Sequence, residues 1–300
     1  MLTKDNFDSL IRRNLAAVIG ADSFGYRLAK VYENYYSREQ FAGFVEEMKS
    51  ERYYEAYRAY AAGKGGELSE QSGRYGKTPP KMASVASSSR FCYLALRDGA
   101  EGLGGSGKVE FEHECRIGRI GGTAPQLDAF VPNERIYVEV KCHEIFDQHH
   151  VAMSGSYRDL LFGNGSAFEF PEIPEGRDGK LEIGLRNFNI SKAFTMFDIK
   201  QLLCHLMGIA AQKEPDEPTR LVYLFFRPRV DSEDEQRELD ALFHELRSEI
   251  AAIFGSPPIR SFTEKNNIQL SAVAEYAKIM EKLSRDNMIV LYRQQNARGM

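Results

Sequence analysis

The segment Gln126–Lys141 constrains the fold more than any other part of the chain. It reads QLDAFVPNERIYVEVK, with polar turn residues at Asn133-Glu134 between two strand-like runs. Antiparallel pairing about that turn gathers the apolar residues of both runs on one face: Leu127, Ala129, Val131, Ile136, Val138 and Val140. The segment therefore predicts a hairpin that lays one face on a hydrophobic core.

The other face of the predicted hairpin carries charges. Asp128 lies across from Glu139, and Lys141 follows Glu139 on the same face. Like charges opposed on a sheet are destabilising, by a few tenths to about 1 kcal/mol, and a cation between them removes the repulsion. Two such carboxylates suit Mg²⁺ or Mn²⁺, and the ammonium can orient or deprotonate a metal-bound water. The pattern predicts metal-dependent phosphodiester hydrolysis, although a solvent-facing Glu–Lys pair gives the same triplet.

Periodicity on both sides of the hairpin predicts an α/β core with a mixed sheet. The predicted order is helix, three strands, helix, strand: Ser87–Leu96, then Lys108–Ile117, Ala124–Val131 and Arg135–Cys142, a helix that begins near Thr195 or Asp198, and Leu221–Phe226. Apolar runs are too short to span a bilayer, and no signal peptide is recognisable. The four cysteines are widely spaced and form no CxxC motif, which indicates a reduced cytoplasmic setting. We therefore expect a cytoplasmic protein without a membrane partner.

Composition divides the chain into four regions. Residues 1–62 show helical spacing, 63–81 form a linker rich in Gly, Pro and Lys, 82–230 contain the predicted core, and 231–300 are a helical region packed on it. In the last region, Leu270, Val273, Tyr276 and Met280 predict a helix, and Met288–Tyr292 a short final strand.

The core pattern resembles the PD-(D/E)XK nuclease superfamily, which has the restriction-endonuclease-like fold. The resemblance rests on Leu127-Asp128, ten intervening residues and Glu139-Val140-Lys141 within that element order. It implies that Asp128 and Glu139 hold a metal, that the Val140 carbonyl adds a ligand, and that Lys141 serves the attacking water. Gln201 matches a polar position beside the site more closely than its neighbour Lys200.

The chain departs from that superfamily pattern at two places. Leu127 replaces the usual Pro, and the predicted helix Ser87–Leu96 lacks the Glu that this helix often contributes. Glu112 or Glu114 on the first strand can substitute, because both point the same way at a spacing of two. We therefore include Glu112 among the predicted metal ligands.

The charge balance favours a local rather than a global nucleic-acid contact. The net charge is −4, so no general basic field attracts a phosphate backbone. Arg74, Lys77 and Lys81 in the linker region are the predicted nucleic-acid contacts. DNA is the favoured substrate, and the sequence leaves a homodimer open.

The sequence is also compatible with two alternatives. The chain can be a noncatalytic nucleic-acid-binding or assembly module that keeps the fold without turnover. It can also hold zinc, because several potential ligands lie near the hairpin: His113, Cys115, Cys142, His143, His149 and His150. None of these residues shows the CxxC or HxxxH spacing that is typical of zinc sites.

Overall fold

The protein is described by a computed structural model that covers residues 2–63, 66–73, 76–117, 124–149, 181–214, 216–276 and 288–293, with isolated positions between 152 and 170. The helices are α1 Lys4–Ile19, α2 Arg38–Met48, α3 Tyr54–Ala62, α4 Ser88–Leu96, α5 Ile199–Gln212, α6 Glu233–Phe254 and α7 Pro257–Lys265. The strands are β1 Phe24–Arg27, β2 Val31–Tyr36, β3 Gln71–Gly73, β4 Gly76–Thr78, β5 Glu110–Glu114, β6 Gln126–Val131, β7 Ile136–Lys141, β8 Ala152–Met153, β9 Leu181–Glu182, β10 Thr219–Arg227, β11 Ile268–Tyr276 and β12 Met288–Arg293. The predicted α/β class is confirmed.

A mixed central sheet organises the chain, with strand order β12-β11-β10-β7-β6-β5. Strands β5, β6 and β7 form an antiparallel meander. The chain then returns through α5 to β10, which lies parallel to β7, and β11 lies parallel to β10. Strand β7 is therefore a central strand with neighbours on both sides, and residues at its carboxyl end lie deep in the fold.

The β6–β7 hairpin has the predicted register over the three residue pairs nearest its turn. Ala129 pairs with Val138 and Val131 with Ile136, and the six apolar residues of the predicted face are 0 % exposed. On the opposite face, the Phe130 and Tyr137 rings stack with centroids 4.3 Å apart. Register is fixed because a slip by one residue would expose the whole apolar face.

Two helices pack closely on this sheet. Helix α4 is buried along nearly its whole length. The Phe91 ring packs edge to face on the Phe226 ring of β10, with the ring centroids 4.6 Å apart. Helix α5 approaches the chain just after β5 so closely that a Cβ on Gly208 would lie 2.7 Å from the Cβ of Cys115. Glycine at position 208 therefore allows α5 to pack closely against the β5–β6–β7 meander.

The helix predicted around Leu270, Val273 and Tyr276 is wrong, because Ile268–Tyr276 forms strand β11. The same segment also alternates, and pairing with β10 over its full length satisfies a strand edge that would otherwise lack partners. Helical spacing alone could not weigh that tertiary gain. The rest of the predicted helix, including Met280, lies outside the described residues.

The regions flanking the core contain further strands. The N-terminal region includes the unpredicted hairpin β1–β2, and the region predicted as a linker includes the short hairpin β3–β4. Among the helices that the structure describes, none is long and apolar enough to cross a membrane.

Candidate functional site

The predicted site residues Asp128, Glu139, Lys141 and Gln201 converge at the end of β7. The Lys141 ammonium donates to Oε1 of Glu139 at 2.6 Å, and the Gln201 amide donates to the same oxygen at 2.8 Å. Oδ2 of Asp128 accepts the backbone N–H of Val140 at 2.7 Å. Strands β6 and β7 and helix α5 therefore bring together residues that are far apart in the sequence.

Helix α5 positions Gln201 through its first turn. The Asp198 carboxylate caps the helix by accepting the backbone N–H of Gln201 at 2.9 Å. His205 follows Gln201 by one helical turn and also faces Glu139, with its Nε2 3.7 Å from Oε2. His205 Nε2 donates to the Gln126 carbonyl at 3.1 Å, and its Nδ1 lies 3.1 Å from the Tyr223 hydroxyl. Both carboxylate oxygens of Glu139 thus have a neighbour on α5.

Burial and mutual repulsion dominate the electrostatics of the carboxylates. Burial, and then the charge of Glu139, raises the pKa of Asp128 well above its ordinary value, whereas Lys141 and the Val140 N–H act in the opposite direction. Burial lowers the pKa of Lys141, but the charges of Glu139, Glu144 and Asp128 outweigh it, so this pKa is raised. Lys141 is therefore cationic at neutral pH, and Asp128 retains a proton more readily than an ordinary carboxyl.

Glu112 lies beside the same site on β5. Phe111 pairs with Ala129 and His113 with Leu127, which places Glu112 across from Asp128. The Gln126 amide donates to Oε2 of Glu112 at 2.9 Å. Glu112 adopts the left-handed backbone region with φ of 56°, a sparsely populated conformation for a non-glycine residue.

Glu114, the other candidate on β5, is directed to the protein surface rather than to the site. It is exposed and pairs with Arg116 at 3.0 Å. Burial, followed by the charges of Glu67 and Glu139, raises the pKa of Glu112 to about 7. Of the two predicted substitutes for the missing helix glutamate, Glu112 is therefore the one at the site.

We expect Glu112 to make the protein less stable as the pH rises. A carboxyl with a raised pKa in the folded state stabilises the fold below its unfolded value of 4.5, and this contribution is lost as the pH rises through about 7. With chelator present, Glu112→Gln should remove roughly 2 kcal/mol of that pH dependence, after allowance for solvent screening. Urea unfolding of both proteins at intervals between pH 5 and 8 measures the difference. Parallel stability curves for the two proteins would contradict the assignment.

The donor set fits a hard divalent cation. Asp128 and Glu139 supply carboxylate oxygens, which Mg²⁺ and Mn²⁺ prefer, and their closeness accounts for part of the raised pKa of Asp128. Oδ1 of Asp128 and Oε2 of Glu139 lie outside the hydrogen bonds made by Val140, Lys141 and Gln201. Across the residues that the structure describes, no group of three or more His, Cys, Asp or Glu side chains is already arranged as a metal cluster. A cation here would accordingly depend on two carboxylates, with water and the Val140 carbonyl as further oxygen donors.

The predicted basic contacts are divided between two acidic partners. Lys81 lies 3.6 Å from Glu67, and its charge lowers the pKa of Glu112, so it is close to the site. Lys77 lies 3.6 Å from Glu70, a residue that also binds Arg38 and Tyr26. Arg74 lies outside the described residues.

The residues of the zinc alternative have separate partners. The His113 imidazole lies 3.4 Å from Glu110, that of His143 2.7 Å from Asp8, and that of His149 3.5 Å from Asp198. Cys115 and Cys142 are buried free thiols, and His150 lies outside the described residues. The five of these residues that the structure describes are not brought together as a zinc site.

Two residues of the site were not predicted from the sequence. His205 sits in the apolar stretch QLLCHLMG, and its spacing of four from Gln201 was the only signal that it shares the same helix face. Glu67 lies in a stretch rich in Gly and Ser, a composition typical of a solvated loop. Lys200, the less favoured neighbour of Gln201, is exposed.

Comparison of the chain with protein-family models, with curated proteins and with solved structures finds no match in any of the three.

Proposed function

We propose that this protein is a metal-dependent nuclease that hydrolyses phosphodiester bonds, with DNA as the favoured substrate and Mg²⁺ or Mn²⁺ as the cofactor. One observation carries the proposal: a lysine and two buried or partly buried carboxylates, on two adjacent strands, converge at one place. Glu139 and Lys141 are 5 % and 13 % exposed in their side chains. Burying three ionisable groups together is costly, and the cost is understandable at a site that binds a charged ligand.

The side chains divide the work according to their charge. Asp128 and Glu139 would hold the cation, which supplies a Lewis acid for the phosphate oxygens. Lys141, with its raised pKa, keeps its proton at neutral pH. It therefore acts by donating hydrogen bonds to the attacking water or the phosphate, rather than by accepting a proton. Gln201 fixes the rotamer of Glu139 through the 2.8 Å hydrogen bond.

The proposal extends to the PD-(D/E)XK superfamily and its restriction-endonuclease-like core. The supporting observation is the order α4, β5, β6, β7, α5, β10, with β5–β7 antiparallel and β10 parallel to β7. Asp128 lies on β6 and Glu139 on β7 of the hairpin, and these two residues belong to the sequence motif that resembles this superfamily.

Hydrolysis of labelled nucleic acids tests the proposed activity. Purified protein should cleave a supercoiled plasmid, a linear duplex or single-stranded DNA when Mg²⁺ or Mn²⁺ is present, and EDTA should abolish the cleavage. An RNA of the same sequence belongs in the panel as a comparison. Binding to these nucleic acids without cleavage of any of them would favour the noncatalytic module instead.

We expect the basic residues of the linker region to bind the phosphate backbone. Neutralising Arg74, Lys77 and Lys81 together should weaken nucleic-acid binding and reduce its salt dependence, by about one unit of log–log slope for each phosphate that the variant no longer neutralises. Fluorescence anisotropy with a labelled duplex between low and moderate salt measures the slope. A slope unchanged from wild type would show that these residues do not bind the phosphate backbone.

A further inference from the structure

His149 lies between the end of β7 and the start of α5 and contacts both segments. Its Nε2 donates to the Glu144 carbonyl at 3.0 Å, in the short 3₁₀ helix Glu144–Phe146 that follows β7. Its Nδ1 lies 3.5 Å from Oδ2 of Asp198, the N-cap residue of α5. The imidazole is 19 % exposed and the carboxylate 27 %. One partly buried side chain therefore links two segments that are distant in the sequence.

The two neighbours of the His149 imidazole favour its protonated form. A backbone carbonyl only accepts hydrogen bonds, and so does an ionised carboxylate. A neutral imidazole carries one N–H and can donate to only one of these oxygens, which leaves a nitrogen lone pair facing the other oxygen. The imidazolium carries an N–H on each nitrogen and matches both oxygens. The contacts of His149 are therefore complete only when the ring is charged.

Charged groups around His149 act on its pKa in both directions. The contact with Asp198 raises the pKa of His149, burial lowers it, and the Glu144 carbonyl raises it, so that this pKa lies above its ordinary value of 6.5. Lys141 at the end of β7 is the cation that opposes the shift. The Glu144 carboxylate is engaged elsewhere, because it accepts the Cys142 N–H at 2.6 Å. The balance between Asp198 and Lys141 therefore sets how strongly His149 holds its proton.

The main chain holds the two segments together without using the imidazole. The N–H of His149 donates to the Thr195 carbonyl at 3.3 Å, and the N–H of Thr195 donates to the His149 carbonyl at 3.4 Å. Oε1 of Glu249 on α6 accepts the Phe197 N–H at 2.7 Å. Loss of the imidazole proton therefore removes a side-chain link and leaves these backbone contacts in place.

Asp198 connects His149 to the carboxylate pair at the end of β7. Its Oδ1 accepts the backbone N–H of Gln201 at 2.9 Å, and the Gln201 amide donates to Glu139 at 2.8 Å. One oxygen of Asp198 thus caps the helix, and the other faces His149. A change in the His149 contact therefore acts on the orientation of the carboxylate that caps α5.

We propose that His149 is a pH-sensitive clasp, in which the imidazolium holds the Asp198 cap on α5 and loss of its proton loosens the first turn of that helix. A histidine with a raised pKa contributes stability below its unfolded value of 6.5, and this contribution is lost as the pH rises through the folded value. The clasp is therefore closed in mildly acidic solution and open in alkaline solution. Its action does not require that the protein be a nuclease.

Proton NMR titration of the imidazole Cε1–H groups tests the contact directly. The wild-type His149 resonance, assigned by its absence from His149→Gln, should titrate above 6.5. Asp198→Asn should move its midpoint to lower pH, because burial and Lys141 then act without the carboxylate. Asp8→Asn removes the acidic partner of His143 and should leave the His149 midpoint unchanged. A wild-type midpoint at or below 6.5, or one that Asp198→Asn does not move, would overturn the proposal.

Hydrogen exchange of the Gln201 amide, corrected for the intrinsic effect of pH, measures the first turn of α5. Its protection in wild type should be about threefold higher at about pH 6 than at about pH 9, as expected for a partly exposed ion pair. His149→Gln should show the lower protection at both pH values, whereas the control His143→Gln should behave as wild type. Protection in wild type that does not change with pH, or that equals the protection in His149→Gln at the lower pH, would refute the clasp.

Discussion

Replacement of Lys141 by Ala should reduce the rate of phosphodiester cleavage by at least about 100-fold, while Mg²⁺ or Mn²⁺ affinity stays within a small factor of wild type. The ammonium donates to Glu139 at 2.6 Å and, being positively charged, would not serve as a ligand of a metal ion. Its loss removes charge stabilisation from the reaction, an effect of that order for a positioned catalytic group. Single-turnover cleavage and Mn²⁺ titration of the same preparation separate the two quantities.

Lys200 supplies the control for this substitution. It lies one residue before Gln201 but is exposed, so Lys200→Ala removes the same charge near the start of α5 without touching the carboxylates. Its cleavage rate should equal that of wild type. Activity retained in Lys141→Ala would refute the catalytic role of Lys141, and equal losses in both variants would indicate a general charge effect.

Asp128→Asn should make the protein melt higher than wild type in chelator, by about 2–4 °C for each kcal/mol gained. The raised pKa of Asp128 means that its ionised form is disfavoured in the fold. Its contribution to stability is present below the unfolded pKa and is lost as the pH rises through the folded value. The advantage of the Asn variant should therefore grow toward neutral pH. An Asn oxygen can still accept the Val140 N–H, so the shape of the site is preserved.

Asp198 provides a control of opposite sign. Burial raises its pKa, but the hydrogen bonds from His149 and from the Gln201 N–H outweigh burial, so this pKa is lowered. Asp198→Asn should therefore melt slightly lower than wild type at neutral pH. Added Mg²⁺ should raise the melting temperature of wild type by mass action and that of Asp128→Asn much less. The carboxylate pair is a structural feature if Asp128→Asn melts lower than wild type in chelator and if Mg²⁺ leaves the melting temperature of wild type unchanged.

The hairpin at the site could be predicted because one local rule determined it. Strand periodicity of two and a turn at Asn133-Glu134 leave a single register that buries Leu127 and Val140 together, and the same register sets Asp128 near Glu139. The resemblance predicts Gln201 as a polar residue beside the site, and its amide donates a 2.8 Å hydrogen bond to Glu139. Local pattern and tertiary packing agree in this part of the chain.

The missed features depend on partners that are distant in the sequence. Ile268–Tyr276 fits both helical and strand periodicity, and the choice is made by the available edge of β10. Glu67 looks solvated in its glycine-rich context but is 8 % exposed, and its backbone carbonyl accepts the N–H of Met82. The apolar sequence around His205 predicts an ordinary core residue, and only the packing of α5 against β7 places its imidazole beside Glu139. Each case is decided by tertiary contacts that override a local preference.

The most direct measurement is the cleavage rate of end-labelled DNA at saturating Mg²⁺ by wild type beside the double variant Asp128→Asn, Glu139→Gln. Both substitutions keep side-chain shape, and circular dichroism with a thermal melt establishes that the variant is folded. We predict defined cleavage products with wild type, their disappearance with EDTA, and no products above background with the folded double variant. Equal cleavage by the two proteins, or none by wild type on any DNA or RNA substrate, would contradict the assignment of this site as a metal-dependent nuclease centre.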